Sequence, residues 1–162
     1  MATGDQRAEV PAELDGVGLR IGLVRSRWNA EIVERLCAGV ERGLLHLGIP
    51  FGDITIESVP GSFEIPMACS ILARSGSVDA IVAIGAVIRG ETTHYELVSE
   101  GAAQGIQDVQ LATGVPIAFG LVTVENEEQA LARSQGPGGH NVGEEAALVA
   151  VEMARLAQRH RS

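Results

Sequence analysis

Two patterns of apolar residues alternate along this chain. Short continuous apolar runs predict buried strands, and stretches in which apolar residues recur every three or four positions predict amphipathic helices. The predicted strands cover residues 19–24, 54–59, 80–88 and 117–124. The predicted helices cover residues 32–47, 63–73, 93–112, 127–133 and 144–159. The second strand alternates apolar and polar residues, which is typical of the edge of a sheet.

This order of elements predicts an α/β fold with a mainly parallel sheet. Because strands alternate with helices, right-handed crossovers are expected to place helices on both faces of the sheet. Residues 1–17 are polar and mixed, so we expect an N-terminal tail that is ordered only if it docks, followed by one domain over 18–160. In such folds, ligands bind beyond the carboxyl ends of the strands.

The composition narrows the class of protein. The 162 residues are 46% hydrophobic and carry a formal net charge of -9, which argues against binding to nucleic acid or to an anionic membrane. No apolar run approaches the roughly 20 residues that a membrane helix needs, and no secretion signal is recognisable. Cys37 and Cys69 lie in predicted helices without metal-ligand spacing, so we expect buried, reduced thiols and a cytoplasmic location.

Unusual residues follow the first two predicted strands. Trp28, the only tryptophan, is flanked by arginines and could be a platform for a planar ligand or part of the core. Gly61, Ser62, Phe63 and Glu64 combine backbone donors with a carboxylate at a helix start. The same segment could instead be a simple cap, with Ser62 as the N-cap residue and Glu64 in the first turn.

Polar residues that a core does not need follow the strand at 80–88. Arg89 ends the apolar run, and Thr92 and Thr93 are candidate N-caps of the next helix. The free N–H groups of a helix N-terminus favour an anion. His94 could transfer a proton near neutral pH, or it could be an ordinary residue of the helix start.

Other motifs are lacking. His46, His140 and His160 have no metal-ligand spacing, so no metal site is expected. No G-x-G-x-x-G motif or P-loop follows a strand, which argues against dinucleotide and nucleoside triphosphate binding. Arg133 ends a predicted helix, where the local sequence favours a solvated or acid-paired side chain.

Four segments resemble the lumazine synthase family. They read V-P-G-S-F-E-I-P at 59–66, A-I-G-A-V-I-R-G-E-T-T-H-Y at 83–95, G-I at 105–106 and F-G-L-V-T-V-E-N-E-E-Q-A at 119–130. The G-x-V-I-R-G-x-T-x-H block, preceded by P-G-x-F-E-I-P, is a specific signature. The resemblance covers about residues 17–158.

The resemblance implies a transferase of the penultimate step of riboflavin biosynthesis. Family members condense 5-amino-6-(D-ribitylamino)uracil with 3,4-dihydroxy-2-butanone 4-phosphate, without metal or organic cofactor. The implied fold is a flavodoxin-like three-layer α/β sandwich around a four-stranded parallel sheet of order 2-1-3-4. The implied assembly is a homopentamer with active sites at subunit interfaces.

The resemblance also assigns a role to each candidate residue. Trp28 is expected to stack on the pyrimidine ring, and His94 is expected to transfer protons. Phe119 and Arg133 are expected to reach into the site of the neighbouring subunit. The other implied substrate contacts are Gly61, Ser62, Phe63 and Glu64 for the ribityl chain, Ala86, Val87 and Ile88 for the ring, and Glu91, Thr92 and Arg133 for the phosphate.

The chain departs from the family pattern before the last helix. Val142 stands where many members carry a lysine, so a positive charge is missing unless His140 supplies it. The turn from Arg133 to Gly143 is one residue longer than in capsid-forming members and contains Pro137, which predicts a pentamer and, as the runner-up, a decamer. Alternative functions are a homologue that binds flavin or lumazine without turnover, or a structural assembly.

Overall fold

The computed structural model describes residues 9–161 and contains one parallel sheet. Its strands are β1 (Ile21–Ser26), β2 (Thr55–Val59), β3 (Ala80–Ile88) and β4 (Ile117–Val124). Their spatial order is β2-β1-β3-β4, with every neighbouring pair parallel. The predicted α/β class and strand order are therefore confirmed.

Helices cover both faces of this sheet. They are α1 (Ala30–His46), α2 (Ile65–Arg74), α3 (His94–Thr113), α4 (Glu127–Ala132) and α5 (Val142–Arg159). One core joins α1 and α5 to one face of the sheet, and a second core joins α2 and α3 to the other. The fold is a three-layer sandwich, as the resemblance implied.

The buried strand β3 connects the two cores. Ile81 and Ile84 point to opposite faces and are both fully buried. Removing most of such a side chain costs about 2–5 kcal/mol, because a cavity remains. The continuous apolar run at 80–88 therefore forms the centre of the fold.

The first strand begins and ends two residues later than predicted. Arg25 and Ser26 continue β1 because they pair with Ser58 and Val59 of β2. Their polarity had suggested that the strand ends at residue 24. Pairing between strands, which the local sequence does not reveal, thus carries β1 closer to the functional edge.

The last helix begins earlier than predicted, at Val142, because Asn141 caps it. The Asn141 Oδ1 atom accepts a hydrogen bond of 3.1 Å from the Glu144 N–H group. Such a cap satisfies one of the N–H groups that a helix start leaves free.

The described end of the predicted tail lies against α1 and α5. Arg155 donates hydrogen bonds to the carbonyl oxygens of Asp15 and Val17, at 2.7 and 2.9 Å. The Gly16 N–H group donates to the Leu47 carbonyl oxygen at 2.8 Å. Residues 1–8 of the predicted tail lie outside the described residues. Within residues 9–161, no helix has both the length and the apolar character needed to cross a membrane.

Candidate active site

The loops that follow β1 and β2 meet at the carboxyl edge of the sheet. Trp28 is 72% exposed, so it is not a core residue. Its indole lies across Gly61, where an added Cβ would stand 3.1 Å from Trp28 Cδ1 and 3.3 Å from Glu64 Oε1. An exposed aromatic ring and a carboxylate therefore border the same spot.

Asn29 fastens the Trp28 loop to β3. Its backbone adopts the left-handed conformation, with φ of 58°, which asparagine tolerates better than most residues. Its Nδ2 group donates a hydrogen bond of 2.8 Å to the Ala86 carbonyl oxygen. The sequence reasoning missed this residue. An asparagine between a strand end and a helix start is the signal that could have indicated it.

Ser62 and Phe63 point to different parts of the fold. Ser62 is buried against β3, because a Cβ on Gly85 would lie 2.5 Å from its Oγ atom. The N-cap position of α2 is occupied by Glu64, without a side-chain hydrogen bond, so the alternative of Ser62 as the N-cap is wrong. The exposed Phe63 ring rests on α3, where a Cβ on Gly101 would lie 2.8 Å from its Cε1 atom.

The end of β3 leads to the N-terminus of α3. Ala86 is buried, and the next two residues, Val87 and Ile88, are half-buried. Of the two candidate caps, Thr92 makes the side-chain contact: its Oγ1 atom accepts a hydrogen bond of 3.3 Å from the His94 N–H group. Thr93 occupies the N-cap position without such a bond.

The first turn of α3 is accessible to solvent. His94 in this turn is exposed, as are Glu91 and Thr92 just before it. The helix is 20 residues long, and its dipole and free N–H groups favour a bound anion at this end. Imidazole and anion-binding groups therefore stand side by side.

Arg89, the cation next to this turn, is paired with acidic side chains. Its guanidinium forms an ion pair with Glu96 and a second with Glu125, where the Nε and Oε2 atoms are 3.0 Å apart. It also lies 4.7 Å from the centroid of the Tyr95 ring. Arg89 thus joins β3 to α3 and to the end of β4, and its charge is largely compensated.

Phe119 and Arg133 lie elsewhere in the subunit. Phe119 pairs with Ala83 in the middle of the edge strand β4, five residues or roughly 17 Å before the strand pair ends. Arg133 follows α4, and its Nη1 group donates a hydrogen bond of 3.0 Å to the Gln129 carbonyl oxygen. Within residues 9–161, Arg133 forms neither an ion pair nor a hydrogen bond with Trp28, Glu64 or His94.

Val142, which stands where many family members carry a lysine, is the first residue of α5, and His140, which could supply the missing charge, lies two residues before it. Val142 is half-buried, and the His140 Nε2 atom lies 3.1 Å from Glu145 Oε1. Across the described part of the chain, no cluster of three or more His, Cys, Asp or Glu side chains could hold a metal ion.

Comparison with known proteins identifies one family. A family model described as 6,7-dimethyl-8-ribityllumazine synthase matches residues 18–158. A protein of that name from Azoarcus is 46% identical over 156 residues, which span 96% of this chain and 97% of the relative. Its counterpart from Nitrosospira multiformis is 44% identical over 156 residues, spanning 96% and 94%. A third, from Kineococcus radiotolerans, is 46% identical over 151 residues, spanning 93% and 91%.

Proposed function

The chain belongs to the 6,7-dimethyl-8-ribityllumazine synthase family, and we propose that it catalyses the condensation that forms 6,7-dimethyl-8-ribityllumazine in riboflavin biosynthesis. The two substrates are 5-amino-6-(D-ribitylamino)uracil and 3,4-dihydroxy-2-butanone 4-phosphate, and phosphate and water are released. The observation that carries the proposal is that an exposed indole, a carboxylate and a helix N-terminus lie at one edge of the sheet. These groups suit a planar ring, a polyol and a phosphate.

The ribitylaminouracil binds between the loops that follow β1 and β2. The Trp28 ring supplies a face on which the pyrimidine stacks. The Glu64 carboxylate, beside that ring, accepts hydrogen bonds from ribityl hydroxyls, and charged acceptors make the stronger hydrogen bonds. Gly61 leaves room for this approach, and Ala86, Val87 and Ile88 line the ring from the end of β3.

The phosphate of the second substrate binds at the N-terminus of α3. Backbone N–H groups at Glu91 and Thr92 face it, and the helix dipole favours its charge. Because Arg89 is already paired with two carboxylates, the compensating cation comes from Arg133. A guanidinium can bind a phosphate through two hydrogen bonds.

His94 transfers protons between the reacting groups. Forming each carbon–nitrogen bond removes protons from an amine, and each departing oxygen must gain one. An imidazole can accept and then donate a proton near neutral pH, and such a group contributes about 10²–10⁴-fold to a rate. Holding both substrates together removes much of the entropic cost of a bimolecular reaction.

The active enzyme is a homopentamer in which Phe119 and Arg133 serve the neighbouring subunit. Support comes from the position of Phe119 in the middle of β4, from the lack of a described bond between Arg133 and Trp28, Glu64 or His94, and from an exposed apolar surface on α3, on α2 and on the turn before α2. Exposed side chains on this surface are Phe63, Met67, Ile71, Leu97 and Leu111, each at least 60% exposed. Apolar patches of this kind mark protein interfaces. Cyclic contacts between unlike faces close a ring of subunits.

The reaction takes place in the cytoplasm. The thiols of Cys37 and Cys69 support this, because both are free and buried. Persistent free thiols are typical of a reducing compartment.

Two assays test the proposal. Formation of lumazine from the two substrates, followed by absorbance, tests the reaction. Flavin binding without turnover would instead favour the non-catalytic homologue.

The second assay tests whether each site is shared between two subunits. Chains that carry His94→Ala and chains that carry Arg133→Ala are unfolded and refolded together in equal amounts. If the two residues serve one site from different subunits, about a quarter of the sites in the mixture contain both intact residues.

A matched mixture provides the control. His94→Ala and Trp28→Ala remove residues on the same side of the proposed interface, so no mixed site contains both intact residues. We expect about a quarter of the normal activity from the first mixture. The second mixture should be no more active than the two single variants measured separately. Equal behaviour of the two mixtures would contradict a site shared between subunits.

A further inference from the structure

We propose that Asn141 is a positioning residue for Arg133. Its amide hydrogen-bonds the turn between α4 and α5 to α1 and so fixes the position of the Arg133 backbone. The inference rests on the proposed phosphate-binding role of Arg133. Asn141 does not contact substrate in this proposal and acts only through the turn. Its side chain is 1% exposed, although asparagine is usually found at the surface.

The turn is a narrow hairpin that begins at Arg133. The Val142 N–H group donates to the Arg133 carbonyl oxygen at 2.9 Å, and the Gln135 N–H group donates to the His140 carbonyl oxygen at 2.9 Å. Ser134 and Asn141 face each other as an antiparallel pair between these bonds. A shift of the hairpin therefore moves the Arg133 backbone directly.

Asn141 connects this hairpin to α1. Its Nδ2 group donates to the Gln135 carbonyl oxygen within the hairpin at 2.9 Å and to the Arg35 carbonyl oxygen at 3.1 Å. Its Oδ1 atom accepts from the Glu144 N–H group at 3.1 Å, which caps α5. One side chain thus joins the turn, α1 and α5.

Two arginines of α1 and two glycines complete the junction. The Arg42 Nη2 group donates to the Gln135 carbonyl oxygen at 3.1 Å. The Arg35 Nε group donates to the Ser134 carbonyl oxygen at 3.0 Å, next to Arg133. A Cβ on Gly39 would lie 2.1 Å from Asn141 Oδ1, and one on Gly143 would lie 2.0 Å from the Leu36 carbonyl oxygen. The two glycines thus let α1 and the start of α5 approach closely, which leaves the hairpin little room to shift relative to α1.

Nothing else among the described contacts of Arg133 would hold it in place. Its side chain makes one hydrogen bond, to Gln129 in the preceding turn, and it has no acidic partner within residues 9–161. The position of its guanidinium therefore depends on its backbone. In an enzyme, a misplacement of about 1 Å can cost 10²-fold in rate.

The variant Asn141→Asp removes the hydrogen bonds that Nδ2 donates to the hairpin and to α1 but keeps the cap of α5. Aspartate caps a helix as well as asparagine does, but it places an acceptor where Nδ2 donates to two carbonyl oxygens. The matched control is Asn126→Asp, because Asn126 Oδ1 caps α4 by accepting from the Gln129 N–H group at 2.9 Å. The side-chain change is the same at both positions, but Asn141 is buried within the hairpin, whereas Asn126 is exposed and lies outside it.

The measurement is steady-state kinetics of the assembled enzyme with each substrate varied separately. For Asn141→Asp we expect KM for the butanone phosphate to rise about tenfold or more and the affinity for ribitylaminouracil to stay within twofold. Asn126→Asp should leave both unchanged. In an Arg133→Ala background, Asn141→Asp should raise that KM no further, because residues that act through one another are not additive.

Several outcomes would overturn the inference. These are a KM for butanone phosphate equal to that of the Asn126→Asp control, an equal loss for both substrates, or a full additional effect in the Arg133→Ala background. If Asn141→Asp does not fold, Arg35→Met is measured instead, because it removes the bond to Ser134 and keeps Asn141. The inference is then overturned if KM for the butanone phosphate does not rise selectively. If Arg133→Ala itself leaves the KM for butanone phosphate unchanged, the proposed role of Arg133 is what fails.

Discussion

The indole of Trp28 rests on Gly61, where any added side chain would press against it. A Cβ at this position would lie 3.1 Å from Trp28 Cδ1, closer than ordinary van der Waals contact. The Gly61 backbone is extended, with φ of -147° and ψ of 178°, so another residue could adopt it without strain. The glycine is therefore needed for the space it leaves beside the indole.

We predict that Gly61→Ala displaces the ring without unfolding the protein. The affinity for ribitylaminouracil should fall about tenfold, equivalent to about 1.4 kcal/mol, while KM for the butanone phosphate changes less than twofold. Fluorescence titration measures the affinity for ribitylaminouracil directly, because Trp28 is the only tryptophan in the chain. Gly52→Ala is the control, since a Cβ there meets nothing within 4 Å. Equal affinities of the two variants would contradict the stacking role.

His94→Ala should lower turnover and leave binding intact. If His94 moves protons, kcat should fall about 10²–10⁴-fold while the affinity for ribitylaminouracil stays within twofold. Single-turnover measurements at saturating substrate provide the value, and His46→Ala, at the exposed end of α1, is the control. A loss confined to binding would assign His94 a structural role at the helix start.

The sequence predicted the sheet well where the apolar pattern itself decides the structure. The runs at 80–88 and 117–124 became β3 and β4 with the predicted bounds. The central strand β3 is covered on both faces, and strands of that kind are apolar throughout. The end of β1 was wrong because Arg25 and Ser26 are polar and belong to the strand only through pairing with β2. Local polarity and long-range pairing disagreed there, and the pairing decided the structure.

The site could be anticipated only in part. Trp28, Glu64 and the N-terminus of α3 follow strand ends, and parallel strands bring those ends to one edge. The supporting residue Asn141 could not be anticipated in the same way. Asn141 bonds to the Arg35 carbonyl oxygen 106 residues away, and nothing in the local sequence indicates that contact.

Both thiols should be inert in the folded protein. Burial raises the pKa of Cys37 to about 11, with Arg25 lowering it and Glu34 raising it less strongly, and burial raises the pKa of Cys69 to about 12. At pH 8 both groups are therefore protonated, and the thiolate is the reactive form. A colorimetric thiol reagent should detect none in the native protein and two per chain in denaturant. Rapid native labelling would mean that a helix carrying one of them opens readily.

The Arg20–Asp79 pair should make stability depend on pH in the acid range. Burial alone would raise the pKa of Asp79, but hydrogen bonds from the side chain and backbone of Arg20, together with its charge, lower the pKa below its ordinary value. The pair thus stabilises the fold above about pH 4 and loses this effect as the pH falls through the lowered pKa.

Asp79→Asn tests this dependence. At pH 7 the variant should melt roughly 2–6 °C lower than the parent, and the difference should shrink below about pH 4. Melting is compared at one protein concentration, because assembly adds to stability. Asp53→Asn, at an exposed position, is the control. A difference in melting temperature between Asp79→Asn and the parent that stays constant from pH 7 to pH 3 would contradict the dependence on the protonation of Asp79.

The turn between α4 and α5 should keep the assembly at a single ring. The resemblance to the family implies that a shorter turn in capsid-forming members lets the last helix meet the next pentamer. Here Pro137 lies exposed in the hairpin that Ser134 and Asn141 close, and the extra residue adds bulk at the exposed tip of this hairpin. We therefore expect light scattering to give a mass of about 85 kDa, that of five chains of 16.9 kDa.

Deleting Pro137 provides the matched variant, because it restores the shorter turn while leaving both strands of the hairpin. If the turn limits assembly, part of this variant should appear as larger particles, whereas the parent remains a pentamer at every concentration tested. A decamer of the parent would show that rings can still pair through another face. A parent species near a megadalton would contradict the argument from the turn and leave the proposed reaction unaffected, because each active site would still be completed within one ring.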